Sequence, residues 1–450
     1  MEGSLMIAFE RKIIMINKID DMYTYFAKRE KRFGMNFGLE RMHDLLAELK
    51  VSHRDLPFVH IAGTNGKGST VNYLKNIMME QGYKVGTFTS PHIESIKERI
   101  MINDEYIAES DFLSLFRQVM QTIEAMEQEQ VYPTQFEILT VIALMYFQEK
   151  RPDFVIMETG LGGRLDSTNV IQPLLSIITN VSFDHTNILG NTIQEIATEK
   201  AGIIKENSYV ITGVREGEAL SVVQKKAEEQ HSELRVLGEH FQVVEQATQP
   251  DGETFTYISE DCRMEKMQLR MLGKHQIENA ALAIAAALLL KEKYYYSFQE
   301  DSIRNGVQKA IWRGRLERIS SNPYVIVDGS HNEAGIETLI QTLQARYQKK
   351  KIVFITAALA DKDVSSMMSK LEKVASHIIC TQFTMDRALE AEQLAKHCES
   401  VTCSVYDDWK AALDEGIQNA DDETVVVVTG SLYFLYYARP YLLQKFIQNV

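Results

Sequence analysis

The segment His60-Ile61-Ala62-Gly63-Thr64-Asn65-Gly66-Lys67-Gly68-Ser69-Thr70 concentrates residues suited to phosphate chemistry. Its glycines let backbone N–H groups approach an anion closely, and the N-terminus of a following helix adds partial positive charge. Lys67 can reach terminal phosphates, and the Ser69 or Thr70 hydroxyl can ligate Mg²⁺. The spacing departs from G-x-x-x-x-G-K-[ST], because Gly63 and Gly66 are closer together and Gly68 separates Lys67 from Ser69. The competing reading is a plain glycine-rich turn. A strand before the loop and a helix after it favour a nucleotide loop.

Further candidates follow other apolar runs. Glu158 precedes Gly160, Gly162 and Gly163, and a carboxylate there suits Mg²⁺, which prefers oxygen ligands. A helix-capping acid is the alternative. In Ser182-Phe183-Asp184-His185-Thr186, ligand softness favours Asp184 over the imidazole for that metal, and a lone histidine is more often structural. Asp328-Gly329-Ser330-His331-Asn332 stands where α/β folds place ligand groups, or is a turn with Ser330 or Asn332 capping the next helix. Arg313 either reaches across a cleft to a transferring phosphate or makes an interdomain salt bridge. Asp361-Lys362-Asp363 reads as a solvated charge run.

These groups need elements to position them. Leu56–Ile61 reads as a strand, and Thr70–Gln81 as a helix with Val71, Leu74, Ile77 and Met78 on one face. Tyr83–Thr89 is a strand ending at Ser90-Pro91. Ser110–Gln128 and Thr134–Glu149 read as helices. Asp153–Met157 and Leu174–Thr179 are strands that deliver Glu158 and Asp184-His185. Strands alternating with helices, with polar clusters at the strand ends, predict an open, mostly parallel α/β sheet binding ligands at that edge.

Upstream, Asp20–Lys50 reads as helical with breaks near Gly34 and Gly38, and Met1–Asn17 as peripheral. Phe241–Val244, Thr254–Ile258 and Met267–Leu272 predict a small β-rich element with a turn at Pro250-Asp251-Gly252. Asn279–Lys291 reads as a buried helix. A boundary near Gly306 to Gly314 divides residues 1–310 from 311–450. The second part has strands at Tyr324–Val327, Ile352–Thr356, His377–Thr381 and Val425–Val428.

The chain of 450 residues is long enough for two or three domains. A formal charge of −14 argues against a general nucleic-acid binder or an anionic membrane surface. Four cysteines, Cys262, Cys380, Cys398 and Cys403, form no Cys-x-x-Cys pair, so neither a zinc site nor a disulfide framework is indicated. They read as thiols of a cytosolic protein. No apolar run suits a bilayer span and no leader pattern is seen.

Taken in order, Gly63–Ser69, Ser90-Pro91-His92, Glu158 to Asn169, Asp184-His185-Thr186, Glu199-Lys200-Ala201-Gly202, His275-Gln276 with Asn279, Arg313-Gly314-Arg315 and Asp328 to Asn332 resemble a known set. It is similar to the folylpolyglutamate synthase/dihydrofolate synthase branch of the ATP-dependent amide ligases related to the Mur ligases. The resemblance runs from about Gly38 to Ser431.

The resemblance implies ATP and Mg²⁺ as cofactors. It assigns Asn65, Gly66, Lys67, Gly68, Ser69, Asn279, Arg313 and Asp328 to the nucleotide, and Ser69, Ser90, Glu158 and His185 to the metal. Lys67, Lys200, His331 and Asp328 are implied in catalysis, Lys200 as a carbamylated lysine. Thr134, Gln135, Phe136, Glu137 and Leu165 fall where the family binds its pterin-containing substrate, and His331 and Ser431 where it holds incoming glutamate.

The implied fold is an N-terminal P-loop ATPase domain, with a mostly parallel sheet and a small β-rich element, and a smaller C-terminal Rossmann-like α/β domain. The implied activity is ATP-dependent addition of L-glutamate to the terminal carboxylate of (tetrahydro)folates through an acyl phosphate, with dihydropteroate as a further acceptor. These small molecules are the expected partners of a cytoplasmic monomer, with no nucleic acid or membrane. A sibling ligase with another acid and amine, or a nucleotide-binding regulator, are the alternatives. Ile355-Thr356-Ala357-Ala358 departs from the pattern, standing where a glycine is common before Asp361-Lys362-Asp363.

Overall fold

The computed structural model describes residues 16–33 and 37–447. Of the leading segment only Ile16 and Asn17 are among them, and the expected break at Gly34 lies outside. Ile16 is buried rather than peripheral, and its carbonyl accepts hydrogen bonds from the Arg117 guanidinium.

Eight strands form the first sheet: β1 (Phe58–Ala62), β2 (Val85–Phe88), β3 (Ile100–Ile102), β4 (Glu105–Tyr106), β5 (Phe154–Glu158), β6 (Pro173–Ile178), β7 (Tyr209–Thr212) and β8 (Glu233–Val236). Their order is β4-β3-β2-β5-β1-β6-β7-β8, and the sheet is parallel apart from the β2-β3 and β3-β4 pairs. The central strands β1 and β5 are buried at every residue, as expected where both faces of a parallel sheet are covered.

Successive side chains go to opposite cores. Val59, Ile61 and Ile156 meet helices Lys67–Glu80 and Lys274–Tyr294, while Phe58, Val155 and Met157 meet helices Glu109–Gln128 and Gln135–Lys150. Helix Lys67–Glu80 buries Val71, Leu74, Ile77 and Met78 as its periodicity predicts. It begins earlier than expected, because Gly66 takes a left-handed φ of 83° and turns the chain directly into Lys67.

An antiparallel meander of β9 (Phe241–Gln249), β10 (Gly252–Ser259) and β11 (Cys262–Leu269) covers one flank of that core. The β-rich element is present, but the third strand starts at Cys262 and stops before Leu272. Register shifts opposite Phe255, with positive φ at Glu245 and Lys266, break the two-residue alternation from which strands were read.

Gly306, expected in a boundary loop, lies inside helix Glu300–Lys309. A Cβ there would stand 2.5 Å from the Ile77 backbone, so the glycine lets two helices touch. The chain then crosses helix Lys67–Glu80, with Asn72 donating to the Ile311 carbonyl (2.9 Å). The Trp312 indole nitrogen sits 2.8 Å from where a Cβ on Gly68 would stand.

The last sheet contains β12 (Glu317–Ser321), β13 (Tyr324–Val327), β14 (Lys351–Thr356), β15 (His377–Thr381), β16 (Cys403–Tyr406) and β17 (Thr424–Thr429), ordered β12-β13-β17-β14-β15-β16. Only its first pair is antiparallel. The four expected strands are present, and the two edge strands are additions. Among the described residues, no helix is long and apolar enough to cross a membrane.

Candidate active site

The C-terminal ends of β1, β5 and β6 and the facing end of β13 enclose a cavity of about 610 Å³. From β1 the chain enters the Gly63–Ser69 loop. Asn180, after β6, fixes that loop by accepting the Thr64 and Asn65 N–H groups at 3.0 and 2.9 Å, while the Thr179 hydroxyl donates to the Asn65 carbonyl at 2.6 Å. The Lys67 ammonium lies back over the loop, donating to the Gly63 carbonyl at 3.0 Å. Asn279 presses on the loop so closely that a Cβ on Gly66 would stand 2.3 Å from its amide oxygen. The left-handed backbone favours glycine there, and a side chain would also have to displace the Asn279 amide.

Glu158, at the end of β5, is buried and accepts the Ser90 N–H at 3.2 Å. Burial pushes its carboxyl up to about 7, against the pull of Lys67 and the Ser90 N–H. Lys200 ends helix Ile193–Ala201 and is also buried. Burial, helped by the Lys67 charge, brings its amine down to about 7.

His185 adopts a left-handed φ of 49° and starts a short helical turn. Beside it, Asp184 accepts Lys362 at 2.8 Å and the Asn332 amide at 2.9 Å. Burial opposes its ionisation, yet Lys362, His185 and His331 hold its carboxyl well below the usual range.

From the opposite sheet, Asp328 accepts the Leu316 and Ser330 N–H groups at 2.9 and 3.0 Å, which ties the β13 turn to the connecting segment. The His331 Nδ1 donates to the Gly329 carbonyl at 2.8 Å, which leaves Nε2 as the unprotonated nitrogen. Burial and the Lys362 charge lower this imidazole to about 4. Asn332 and Asn65 exchange amide hydrogen bonds at 3.1 and 3.2 Å across the gap. Ser431 is buried and lines the same cavity.

A glycine-rich loop and a buried carboxylate therefore share one cavity with Asp328 and His331, which follow β13, and with Arg315, from the segment before β12. The sequence matches the Mur ligase middle domain over residues 61–287 and the Mur ligase glutamate ligase domain over 314–432. A Bacillus subtilis relative, "Dihydrofolate synthase/folylpolyglutamate synthase", is 41% identical over 90% of this chain and 94% of its own. The chain belongs to the folylpolyglutamate synthase/dihydrofolate synthase family.

A Lacticaseibacillus casei folylpolyglutamate synthase is 35% identical over 86% of this chain and 90% of its own. Among solved structures, Escherichia coli FolC in complex with DHPP and ADP matches with a TM-score of 0.85 at 27% identity, over 96% of this chain and 99% of that one.

Measured against the resemblance, this folylpolyglutamate synthase/dihydrofolate synthase family member gathers nearly every expected residue. Asn65 to Ser69, Ser90, Glu158, His185, Lys200, Asn279, Asp328, His331 and Ser431 all line the cavity. Thr134, Gln135, Phe136 and Leu165 line its other end, where Phe136 packs so near Gly160 that a Cβ there would lie 2.6 Å from the ring.

Two expected residues stand elsewhere. Glu137 is buried outside the cavity, closing a capping box on the Thr134 N–H at 2.6 Å and pairing with Arg41 at 2.8 Å. Arg313 is half exposed and is held by Glu94 at 3.0 Å and the Tyr106 hydroxyl at 2.7 Å. Gly314, with a φ of 65°, turns the chain between the two arginines, so Arg315 enters the cavity instead.

Lys362, read as solvated, has a side chain only 10% exposed and reaches Asp184 and His185. Asp184 was legible in the sequence through ligand softness and Asn332 as part of the Asp328–Asn332 motif, where it caps the following helix; the loop-fixing role of Asn180 is a further addition. For a divalent cation, the donors of Ser69, Ser90 and Glu158 suit Mg²⁺, with the imidazole of His185 the softest of the set. The buried Glu158 lines the cavity and, among the described residues, has the Ser90 N–H but no side chain as a hydrogen-bond partner, which fits that use.

Proposed function

We propose that this protein is an ATP-dependent ligase that joins L-glutamate to the terminal carboxylate of a folate through an acyl phosphate. The observation that carries this reading is the facing of the Gly63–Ser69 loop and Glu158 by Arg315, Asp328 and His331 across one cavity. We treat residues 1–310 as the nucleotide-binding domain and 311–450 as the glutamate-ligase domain.

A carboxylate is a poor electrophile. Transfer of the ATP γ-phosphoryl group to it creates an acyl phosphate with a good leaving group. Lys67 and Arg315 offset charge on the transferring group. Ser69, Ser90, Glu158 and His185 would hold Mg²⁺, which when bound supplies further charge neutralisation. The glutamate amine attacks the acyl carbon, phosphate departs, and the amine loses a proton. His331 Nε2 is unprotonated and positioned on the cavity wall to accept it. Contacts from both sheets keep water from the acyl phosphate. Lys200 is a buried amine without a hydrogen-bond or ion-pair partner among the described residues, the state that carbamylation requires.

The Bacillus subtilis relative carries both activities in its name, which favours dihydropteroate as a second acceptor. We also place the protein in the cytoplasm as a monomer, a setting that suits its free thiols. The deciding experiment is mass spectrometry after incubation with ATP, L-glutamate and either dihydropteroate or tetrahydrofolate. One added glutamyl residue per ADP is expected. ATP hydrolysis without ligated product would favour a regulator, and product only with UDP-linked acids would favour a sibling ligase.

A further inference from the structure

The three cysteines of the last sheet, separated by 18 and 5 residues, converge in space. Cys380 lies in β15, Cys403 opens β16, and Cys398 sits in the turn after helix Ala391–Ala395. Their sulfur atoms all fall within 4.8 Å of one another, with 3.4 Å between Cys380 and Cys403. The strand register explains this. Ile378 pairs with Cys403 and Cys380 with Val405, so the two cysteines lie diagonally on one face of the sheet. The sequence reading, which sought a Cys-x-x-Cys pair, could not detect a cluster built across strands.

We propose that Cys380, Cys398 and Cys403 form a three-thiolate site for a thiophilic divalent cation of the Zn²⁺ and Cd²⁺ type. Metal–sulfur bonds of about 2.3 Å place tetrahedral sulfurs about 3.8 Å apart, inside the observed spread. Cys380 is fully buried while Cys398 and Cys403 are half-buried, so the cluster is closed on the core side and reachable from the other. Three inert core thiols would have no need of that opening.

The turn carrying Cys398 is held in place. The Glu372 carboxylate accepts the N–H groups of Glu399, Ser400 and Val401 at 2.7, 2.8 and 3.2 Å. That fixed negative charge disfavours bare thiolates nearby and favours a cation among them. The thiols release protons on binding.

None of the three cysteines lines the large cavity, whose oxygen donors suit a harder ion, so the two sites select different metals. A bound ion would tie β16, a four-residue edge strand, to β15 and to the Cys398 turn.

The test uses the reduced, desalted full chain titrated with Cd²⁺ alone, followed by the thiolate-to-metal charge-transfer absorption. Wild type is expected to saturate at one equivalent, and Zn²⁺ should displace the signal. Cys398→Ser and Cys403→Ser should each weaken binding at least ~100-fold, while Cys262→Ser leaves it unchanged. Equimolar Zn²⁺ should raise the melting temperature of wild type and not of the two serine variants, and glutamate ligation should persist in both. Absence of saturable absorption overturns the proposal. So does an unchanged titration in the Cys398→Ser/Cys403→Ser double variant, or a Cys380–Cys403 disulfide in a chain that takes up no metal once reduced.

Discussion

At the scale of single residues, the cavity joins groups whose ordinary charge is suppressed to groups whose charge is enforced. Glu158 and Lys200 are driven toward neutrality by burial, whereas Asp184 is kept ionised by Lys362. Removing a charge aimed at a transferring phosphate typically costs ~10²–10³-fold in turnover. Lys67→Ala, Glu158→Gln and Arg315→Ala should each lose that much glutamate-dependent ADP release, with unchanged melting temperatures. Arg313→Ala should stay within about threefold, because its guanidinium serves Glu94 and Tyr106 instead. Equal losses at 313 and 315 would reverse the assignment.

Lys200→Ala should be inactive and regain activity with a small carboxylate, whereas full activity without rescue would remove carbamylation from the account. The sequence offered Arg313 as a phosphate contact or as a salt bridge, and the structure shows the salt bridge, with Glu94; the left-handed turn at Gly314 that sends Arg315 to the cavity is visible only in the backbone. Lys362 was misread for a different reason. Its chain neighbours are acids, but the acid it pairs with, Asp184, is 178 residues away.

At the scale of elements, burial made most strands legible, although β7, buried from Val210 to Thr212, was missed. The strands β1, β5, β6, β13, β14 and β17 are nearly continuous apolar runs because both faces are covered, and all were found from composition. Edge strands β12 and β16 are half exposed and lack that signature, so neither was found. The meander was located, but its bulges spoiled the alternation needed to bound it. Gly306 shows the converse error, a glycine taken as punctuation when it was a contact. A Cβ there would meet the Ile77 backbone, which cannot yield as a flexible side chain can. Gly306→Ala should therefore destabilise by about 1–3 kcal/mol in denaturant unfolding. A neutral or stabilising result would mean that the helices separate easily.

At the scale of the whole molecule, buried histidines make the fold acid-sensitive. Burial lowers His60 and His92 to about 3 and His275 and His331 to about 4. Below an unfolded pKa of about 6.5, the unfolded chain binds protons that the native chain refuses, so stability falls as pH falls. Glu158, raised to about 7, acts in the opposite sense over part of that range but is outnumbered. Each uncompensated histidine is worth about 1.4 kcal/mol per pH unit. The urea midpoint should therefore drop between pH 7 and pH 5, and less steeply in His60→Gln. An identical slope in that variant would exclude His60 as a contributor.

The crossing segment at Trp312 carries one more consequence. The chain has two tryptophans, and one indole rests on Gly68 of the Gly63–Ser69 loop while Trp409 stands off among Tyr437 and Tyr441. The molecule thus holds an optical sensor and an internal reference. Adding ATP should alter the emission of Trp312 alone, so the change should vanish in Trp312→Phe and survive in Trp409→Phe.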